Sequence, residues 1–405
     1  MTVEIKRKDV IVVLNCGSSS IKFAVFDAGE TPPARKPLWH GKVQGIGGPA
    51  PDFGETGVAP FAIALGTAHP YRDAVAVIRE RIAARLDGRR IAAVVHRVVH
   101  GGSCYFEPVR IDDNVLTYLD SCIPLAPLHQ PYALDAIDML LREYPELPQV
   151  ACFDTGFHST MPEVEQILPL PYDAWERGLR RYGFHGLSYE YMTTALAERY
   201  GDGARGRTIV AHLGSGASLC AMQDLKSVST TMGFSALDGL MMGTRTGALD
   251  PGAVLYLMEI EKLTLEEVGR ILYHSSGLLG ISGISPEPRV IVQHENDSGE
   301  TGRRARLALD LYVRRIVSEI GAMTAVLGGL DLLVFTAGVG EHCAFVRERV
   351  CSALAFLGVR LDAAANGENA PLISTPDSIV QVGVEPTNEE WVAARHAQRL
   401  LWPAA

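Results

Sequence analysis

The strongest constraint on this chain is a motif that occurs twice. Val10–Leu14 is a β-branched apolar run, followed by Gly17-Ser18-Ser19-Ser20 and a second apolar run, Ile21–Phe26. Strand signals on either side of a Gly/Ser turn read as a hairpin. Thr208–His212 runs in the same way into Gly214-Ser215-Gly216 and then into Ser218–Met222. At one constant offset, Asn15, Cys16, Gly17 and Ser18 line up with His212, Leu213, Gly214 and Ser215. A hairpin repeated about half a chain apart points to duplication and so to two related lobes. Length agrees, because 405 residues exceed what one hydrophobic core usually organises. Helical spacing is read at Tyr71–Leu86, Pro131–Glu143, Ser188–Tyr200, Leu265–Ser275, Arg303–Leu327, Cys343–Leu357 and Asn388–Leu401. Buried-strand runs alternate with these at Ile91–Val99, Gln149–Phe153 and Leu330–Phe335. The class is therefore α/β, and a cleft between lobes is the expected ligand site.

Charge and cysteine usage narrow the chemistry. A net charge of -10 argues against a nucleic-acid or anionic-membrane surface, both of which need basic patches. It leaves small anions open, since a few arginines and backbone N–H groups hold those. Seven scattered cysteines with no C-x-x-C suggest neither a disulfide framework nor a zinc site. The charged N-terminus lacks the apolar core of a signal peptide, and no run of about 18 apolar residues appears. The expected location is cytoplasmic.

Walker A, H-R-D, D-F-G, G-x-S-x-G and H-E-x-x-H patterns are all absent. Three Gly-rich turns offer another way to hold phosphate: Asn15–Ser20, His212–Gly216 and Gly338–Glu341. The first two sit between strands, where backbone N–H groups form anion nests. The third lies between a strand and a helix, where the helix start favours phosphate. Arg97 ends a strand in His96–Gly102, and Arg245 sits in Met242-Gly243-Thr244-Arg245-Thr246-Gly247. Both are expected to be free to point into a cleft and grip a carboxylate or phosphoryl group. His96 and His100 are four apart, but on a strand that spacing makes no metal pair. Arg180–Gly186 gathers two cations, two aromatics and His185 around glycines. Asp154 ends a buried strand just before Gly156 and His158, a common place for a metal-binding or basic carboxylate.

Together these segments resemble the acetate kinase family (acetate/propionate kinases) of the sugar kinase, Hsp70 and actin superfamily. The resemblance is carried by Val13–Phe23, His96–Gly102, Pro127-Leu128-His129, Phe153-Asp154-Thr155 and Arg180–Gly186. It continues through Ala211–Gly214, Gly239–Arg245, Phe335–Glu341 and Thr387–Glu390, in family order along essentially the whole chain. It implies two duplicated ribonuclease-H-like (actin-like) lobes with an active-site cleft between them. Residues 1–153 plus 388–405 would be the substrate and metal side, and 154–387 the nucleotide side. It implies transfer of the ATP γ-phosphoryl group to acetate, giving acetyl phosphate and ADP, with Mg²⁺ (or Mn²⁺) and a homodimer. Asn15 and Glu389 look like the metal site and Lys22 like a phosphate contact. Arg97 resembles the group that holds the substrate carboxylate, with Val99, Leu128, Phe184 and His129 around it. Asp154 looks like an acid/base or metal-orienting carboxylate, and His185 and Arg245 like transition-state stabilisers. His212, Leu213, Gly214, Ser215 and Gly216 resemble one nucleotide loop, Gly338, Val339, Gly340, Glu341 and His342 another, and Glu287, Pro288 and Arg289 the adenine-side segment.

Several positions depart from the family pattern. Ser215 and His342 stand where Asn is usual, Ala248 where an acid is common, and Leu187 and Tyr189 where Thr and His are usual. Two prolines stiffen Ser285–Arg289. Ala236 replaces a proline that often faces the substrate methyl, which suggests room for propionate. A related acyl kinase for propionate or butyrate, an inactive nucleotide-binding scaffold and a chaperone-type ATPase are the competing readings. Intact Asn15, Arg97, Asp154, His185, Arg245 and Glu389 argue against a scaffold, and the missing peptide-binding extension against a chaperone.

Overall fold

The computed structural model describes residues 9–17, 19–127 and 129–403. The chain divides into two compact units, Met1–Gly156 with Asn388–Ala405, and Phe157–Thr387. Asp154 therefore goes with the first unit.

The first unit is built on an eight-stranded sheet in the order β5-β4-β3-β2-β1-β6-β8-β7. Its strands are β1 (Asp9–Cys16), β2 (Ser20–Asp27), β3 (Trp39–Gln44), β4 (Asp52–Glu55), β5 (Val58–Ala62), β6 (Arg90–Val98), β7 (Val109–Arg110) and β8 (Gln149–Phe153). β1 pairs antiparallel with β2 and parallel with β6, and β6 runs parallel to β8. Strands buried on both faces read as continuous apolar runs, as Val10–Leu14 does. Val10, Val12 and Leu14 join Ile78 and Ile82 of the helix Pro70–Arg85 and Leu140 of the helix Gln130–Glu143. The alternate residues face the closing helix Glu389–Leu401, which packs along β1, β2, β6 and β8. Asn388 caps that helix, its side chain accepting the Trp391 N–H at 3.2 Å.

The second unit carries β9 (Thr208–Leu213), β10 (Ala217–Gln223), β11 (Lys226–Thr230), β12 (Leu332–Thr336) and β13 (Gln381–Val384) in the order β11-β10-β9-β12-β13. Two antiparallel pairs are followed by two parallel ones. This repeats β3-β2-β1-β6-β8 strand for strand and direction for direction, so the duplication read from the turns extends through five strands. Only the turn differs. Cys16↔Ile21 closes over Gly17 to Ser20, whereas Leu213↔Ala217 closes over Gly214 to Gly216, one residue fewer.

Some boundaries move for physical reasons. The helix expected from Ser188 starts at Gly186, because His185 takes a left-handed conformation (φ 59°) and sets the entry. Gly338–Glu341 is not a turn but lies inside the short helix Ala337–His342. The stretch 343–357 divides into a helix, Ala344–Ala353, and a 3₁₀ turn, Ala355–Leu357. All seven cysteines are free.

Two buried histidines give the fold a pH dependence. Burial holds the imidazoles of His96 and His158 down at about 4. His96 Nε2 meets Gln149 Oε1 at 2.7 Å; His158 Nε2–H donates to the Phe184 carbonyl at 2.9 Å and Nδ1 pairs with Ser227 Oγ at 2.8 Å. An unfolded histidine titrates near 6.5, so between about pH 4 and 6.5 the neutral form is favoured only in the folded chain. That contribution is complete above about pH 6.5 and is lost as pH falls toward 4, up to about 3 kcal/mol per group. Urea-unfolding midpoints are expected to fall steadily across this window, and less steeply in His96→Asn. A flat profile from pH 7 to 5 would contradict the assignment.

Candidate active site

In the first unit, strand register assembles a polar row where β1 and β6 end. Asn15 lies between Lys22 on β2 and Arg97 on β6. The carboxyl ends of parallel strands are the usual place for a ligand in α/β sheets. Arg97 is not free, contrary to the expectation from its glycine-rich surroundings. Its Nε and Nη2 donate to Asp154 Oδ1 and Oδ2 at 2.8 and 2.7 Å, and Nη1 donates to Glu389 Oε2 at 2.7 Å. Burial works against the guanidinium charge, but Asp154 and Glu389 more than offset it and hold the pKa above its ordinary value. Three of its five N–H groups are used in these bonds, which leaves one on each Nη. Burial lifts the Glu389 carboxyl to about 7 against the pull of Arg97, and Asp154 and Glu390 add to the lift.

Val99 follows Arg97 and is half-buried, and His129 precedes the helix Gln130–Glu143. Gln130 ties them together. Fully buried, it accepts the His100 N–H at 3.1 Å and donates to the His100 carbonyl at 2.9 Å. Leu128 lies outside the described residues.

In the second unit, the imidazoles of His185 and His212 stack with centroids 4.1 Å apart. Ser218 Oγ fixes His185 Nδ1 at 2.8 Å and also meets the Tyr189 hydroxyl at 2.6 Å. His212 Nδ1 meets Ser188 Oγ at 2.9 Å, and Ser188 accepts the Thr387 hydroxyl at 2.8 Å. The glycines mark where these groups converge. A methyl on Gly216 would lie 3.2 Å from His185 Nε2 and 3.7 Å from Arg245 Nη1. One on Gly214 would lie 3.7 Å from His212 Nε2 and 3.6 Å from Ala337 Cβ. The turn Gly214-Ser215-Gly216 is thus crowded by a stacked histidine pair, an arginine and the start of the helix Ala337–His342. Arg245 Nη1 donates to the Ala236 carbonyl at 3.1 Å, and burial pulls its pKa down.

The other sequence candidates take more structural places. Glu341 accepts the N–H groups of Ala337 (2.8 Å) and Thr387 (3.2 Å), so it caps its own helix and pins the approach to Asn388. Arg347, fully buried, donates to the carbonyls of Gly340 and Glu341 at 2.8 and 3.0 Å. Phe184 is buried with its carbonyl on His158, and His342 and Ser215 are exposed. Pro288 opens the four-residue helix Pro288–Ile291, and Glu287 and Arg289 are exposed beside it. The preceding Pro286 carbonyl would lie 3.0 Å from a methyl on Gly243, so this segment packs on the Arg245 loop.

A family model described as "Acetokinase family" matches residues 10–395. The chain belongs to the acetokinase family. An acetate kinase of Rhodopseudomonas palustris is 47% identical over 401 residues, covering 97% of this chain and 98% of that protein. A crystal structure of a propionate kinase from Francisella tularensis matches with a TM-score of 0.87 at 34% identity, covering 96% of this chain and 98% of that one. A Porphyromonas gingivalis acetate kinase structure matches with a TM-score of 0.82 at 36% identity, covering 95% and 98%. The chain is accordingly a kinase, and its two sheets are the duplicated ribonuclease-H-like (actin-like) lobes of this fold.

The departures from the acetokinase pattern now have structural settings. Tyr189, in place of the usual His, completes the Ser218 relay that orients His185. Ala236 supplies the carbonyl that holds Arg245. Gln130, Ser218 and Arg347 escaped the sequence reading. The one available signal was polarity at positions otherwise apolar, as for Ser218 inside the strand Ala217–Gln223.

Proposed function

We propose that this chain catalyses reversible transfer of the ATP γ-phosphoryl group to acetate, giving acetyl phosphate and ADP. The observation that carries the reading is the Arg97 fork. Asp154 grips one edge and Glu389 one Nη, so the guanidinium plane is fixed while one N–H on each Nη stays available for an acceptor carboxylate. A fixed fork fits a planar carboxylate better than a lysine would. Acetate is already ionised at neutral pH and needs no general base. One carboxylate oxygen forms the new P–O bond, the bond to the bridging β–γ oxygen breaks, and ADP carries away that electron pair. Asp154, doubly bonded to Arg97, acts in this reading by orienting rather than by moving a proton.

Two anions must meet, so charge screening is the main task. Arg97 supplies it on the acceptor, and Arg245 with His185 Nε2 on the phosphoryl group, beside the Gly214–Gly216 turn. Asn15 and Glu389 would hold Mg²⁺. Both present oxygen, the ligand of hard cations, and a divalent charge would relieve the cost of the buried Glu389 carboxylate. Among the described residues no group of three or more His, Cys, Asp or Glu side chains forms a metal cage. When bound, the metal supplies charge neutralisation on the phosphates.

Ala236 in place of proline makes propionate a second substrate of the proposed enzyme. One methylene is worth about 1–3 kcal/mol in such a pocket, so acetate should lead by less than 100-fold in kcat/KM. Measuring that ratio with ATP as donor tests the reading; a ratio above 100 would exclude the roomier pocket.

The enzyme is further proposed to be a cytoplasmic homodimer. The helix Pro251–Glu259 buries none of its residues, and Leu255, Tyr256, Ile260 and Leu265 are exposed by 56, 53, 63 and 75%. An apolar surface of this kind marks an interface. Leu255→Glu with Ile260→Glu is expected to halve the mass in light scattering; an unchanged mass would remove this face from the interface. No helix among the described residues is long and apolar enough to cross a membrane.

A further inference from the structure

The stacked imidazoles of His185 and His212 are held by an exchange of hydroxyls between a helix and a strand. His185 stands at the entry of the helix Gly186–Tyr200, and its Nδ1 meets Ser218 Oγ on β10 at 2.8 Å. His212 lies near the end of β9, and its Nδ1 meets Ser188 Oγ on that helix at 2.9 Å. Ser218 and His212 are themselves opposed partners in the β9–β10 ladder. Each serine has a second hydroxyl behind it, Tyr189 for Ser218 at 2.6 Å and Thr387 for Ser188 at 2.8 Å.

Proton counting fixes the direction of both chains, because a hydroxyl donates a single hydrogen and accepts at the same oxygen. Thr387 donates to Ser188, so the Ser188 hydrogen is the one left for His212 Nδ1. Tyr189 is fully buried, and burial holds its pKa well above the ordinary value, so it keeps its proton. The His212 backbone bonds the Tyr189 oxygen in the sense that favours a phenolate, which is that of a donated N–H. The Tyr189 hydrogen is thereby left for Ser218 Oγ, and the Ser218 hydrogen for His185 Nδ1. A neutral imidazole that accepts at Nδ1 carries its hydrogen on Nε2. Rings stacked 4.1 Å apart also resist both being charged. Both Nε2 atoms flank the glycine turn, that of His185 3.2 Å from where a methyl on Gly216 would lie and that of His212 3.7 Å from one on Gly214.

We propose that Ser218, backed by Tyr189, is a positioning residue for phosphoryl transfer: its hydroxyl locks His185 in the Nε2–H tautomer and so presets a neutral hydrogen-bond donor. The proposal rests on the phosphoryl role given to His185 above. Ser188, backed by Thr387, does the same for His212. A neutral imidazole is an adequate donor to developing negative charge. With the donor preset, neither ring has to turn or exchange a proton as charge develops on the phosphoryl oxygens. Tyr189 stands where the family usually has His, and either side chain can supply the hydrogen at the far end of the chain. The departure therefore preserves the direction of the relay.

The tautomer is read directly by NMR on the full chain, labelled with nitrogen-15 in its imidazoles and free of nucleotide. At about pH 8, above the usual histidine range, the wild type is expected to show His185 and His212 protonated at Nε2 and bare at Nδ1. Resonances are assigned with His185→Asn and His212→Asn. Ser218→Ala should release His185 to a mixture of tautomers. It should also lower kcat for acyl phosphate formation by about 10- to 100-fold, the usual loss for a removed orienting partner of a histidine, with KM for ATP and acetate within about threefold. Ser218→Thr keeps the hydroxyl and should restore the tautomer and most of kcat. Tyr189→Phe keeps the ring against Phe157 and His158, so the melting temperature should hold while kcat falls less than in Ser218→Ala. A wild-type His185 protonated at Nδ1 would overturn the proposal whatever the variants do. So would Ser218→Ala with the wild-type tautomer and kcat, or with a loss confined to KM. The spectrum involves no turnover, so the tautomer assignment is decided separately from the kinase reading, whose failure shows as a wild type that makes no acyl phosphate.

Discussion

An Arg97→Ala variant is expected to lose about 10³-fold or more in kcat/KM for acyl phosphate formation and also to be markedly less stable. The first loss follows from its place as the charge that holds an acceptor against a second anion, by analogy with catalytic arginines of other phosphotransferases. The second follows from what remains. Arg97, Asp154 and Glu389 side chains are exposed by only 18, 4 and 12%, and the arginine is the common partner of both acids. Removing one member of a buried charge set costs about 3–5 kcal/mol, because the others lose their counter-charge. Arg97→Lys separates the effects. A lysine keeps the charge but not the fork, so stability should recover in large part while kcat/KM stays depressed by about 10²-fold or more. Steady-state kinetics run well below the melting temperature of each variant reads both. An Arg97→Lys enzyme within tenfold of the wild type would remove bidentate carboxylate recognition from the account.

Arg245→Ala should lose as much rate. Burial holds this guanidinium below its ordinary value, and its Nη1 donates to the Ala236 carbonyl at 3.1 Å and to the Met242 sulfur at 4.0 Å. A buried group held against its own solvation next to a glycine turn is the signature of a functional charge. The expected loss is about 10³-fold in kcat, with nucleotide affinity changed by less than about tenfold, because the arginine acts chiefly on charge that develops during transfer. Nucleotide titration alongside kinetics measures this. A large loss of affinity at preserved kcat would assign Arg245 to ground-state binding instead.

What was legible in the sequence was local. The two hairpins were visible because a β-branched run, a Gly/Ser turn and a second run are properties of contiguous residues, and the register they impose brought Asn15 beside Lys22. The parallel partners were harder. Arg97 could be seen as a strand-end arginine, but its bonds reach Asp154 and Glu389, 57 and 292 residues away, and no periodicity encodes that closure. The freedom expected of Arg97 was wrong for that reason. The helix Ala337–His342 was read as a turn because six glycine-rich residues are too few to show a 3.6-residue period. Glu341 belongs by resemblance to a nucleotide loop, and no local pattern shows that its carboxylate also closes its own helix start. Side chains that orient others, such as Gln130, Ser218 and Arg347, carry no motif. Their role exists only once the backbone they hold has folded.

The central claim is that this chain makes an acyl phosphate. The most direct measurement is to incubate the purified protein with Mg²⁺, ATP and acetate and to trap the product with hydroxylamine as the hydroxamate. The account predicts acetohydroxamate that requires both ATP and acetate, appears also with propionate, and is lost in Arg97→Ala. Bound nucleotide with no hydroxamate from either acid, under any nucleotide donor, would contradict it.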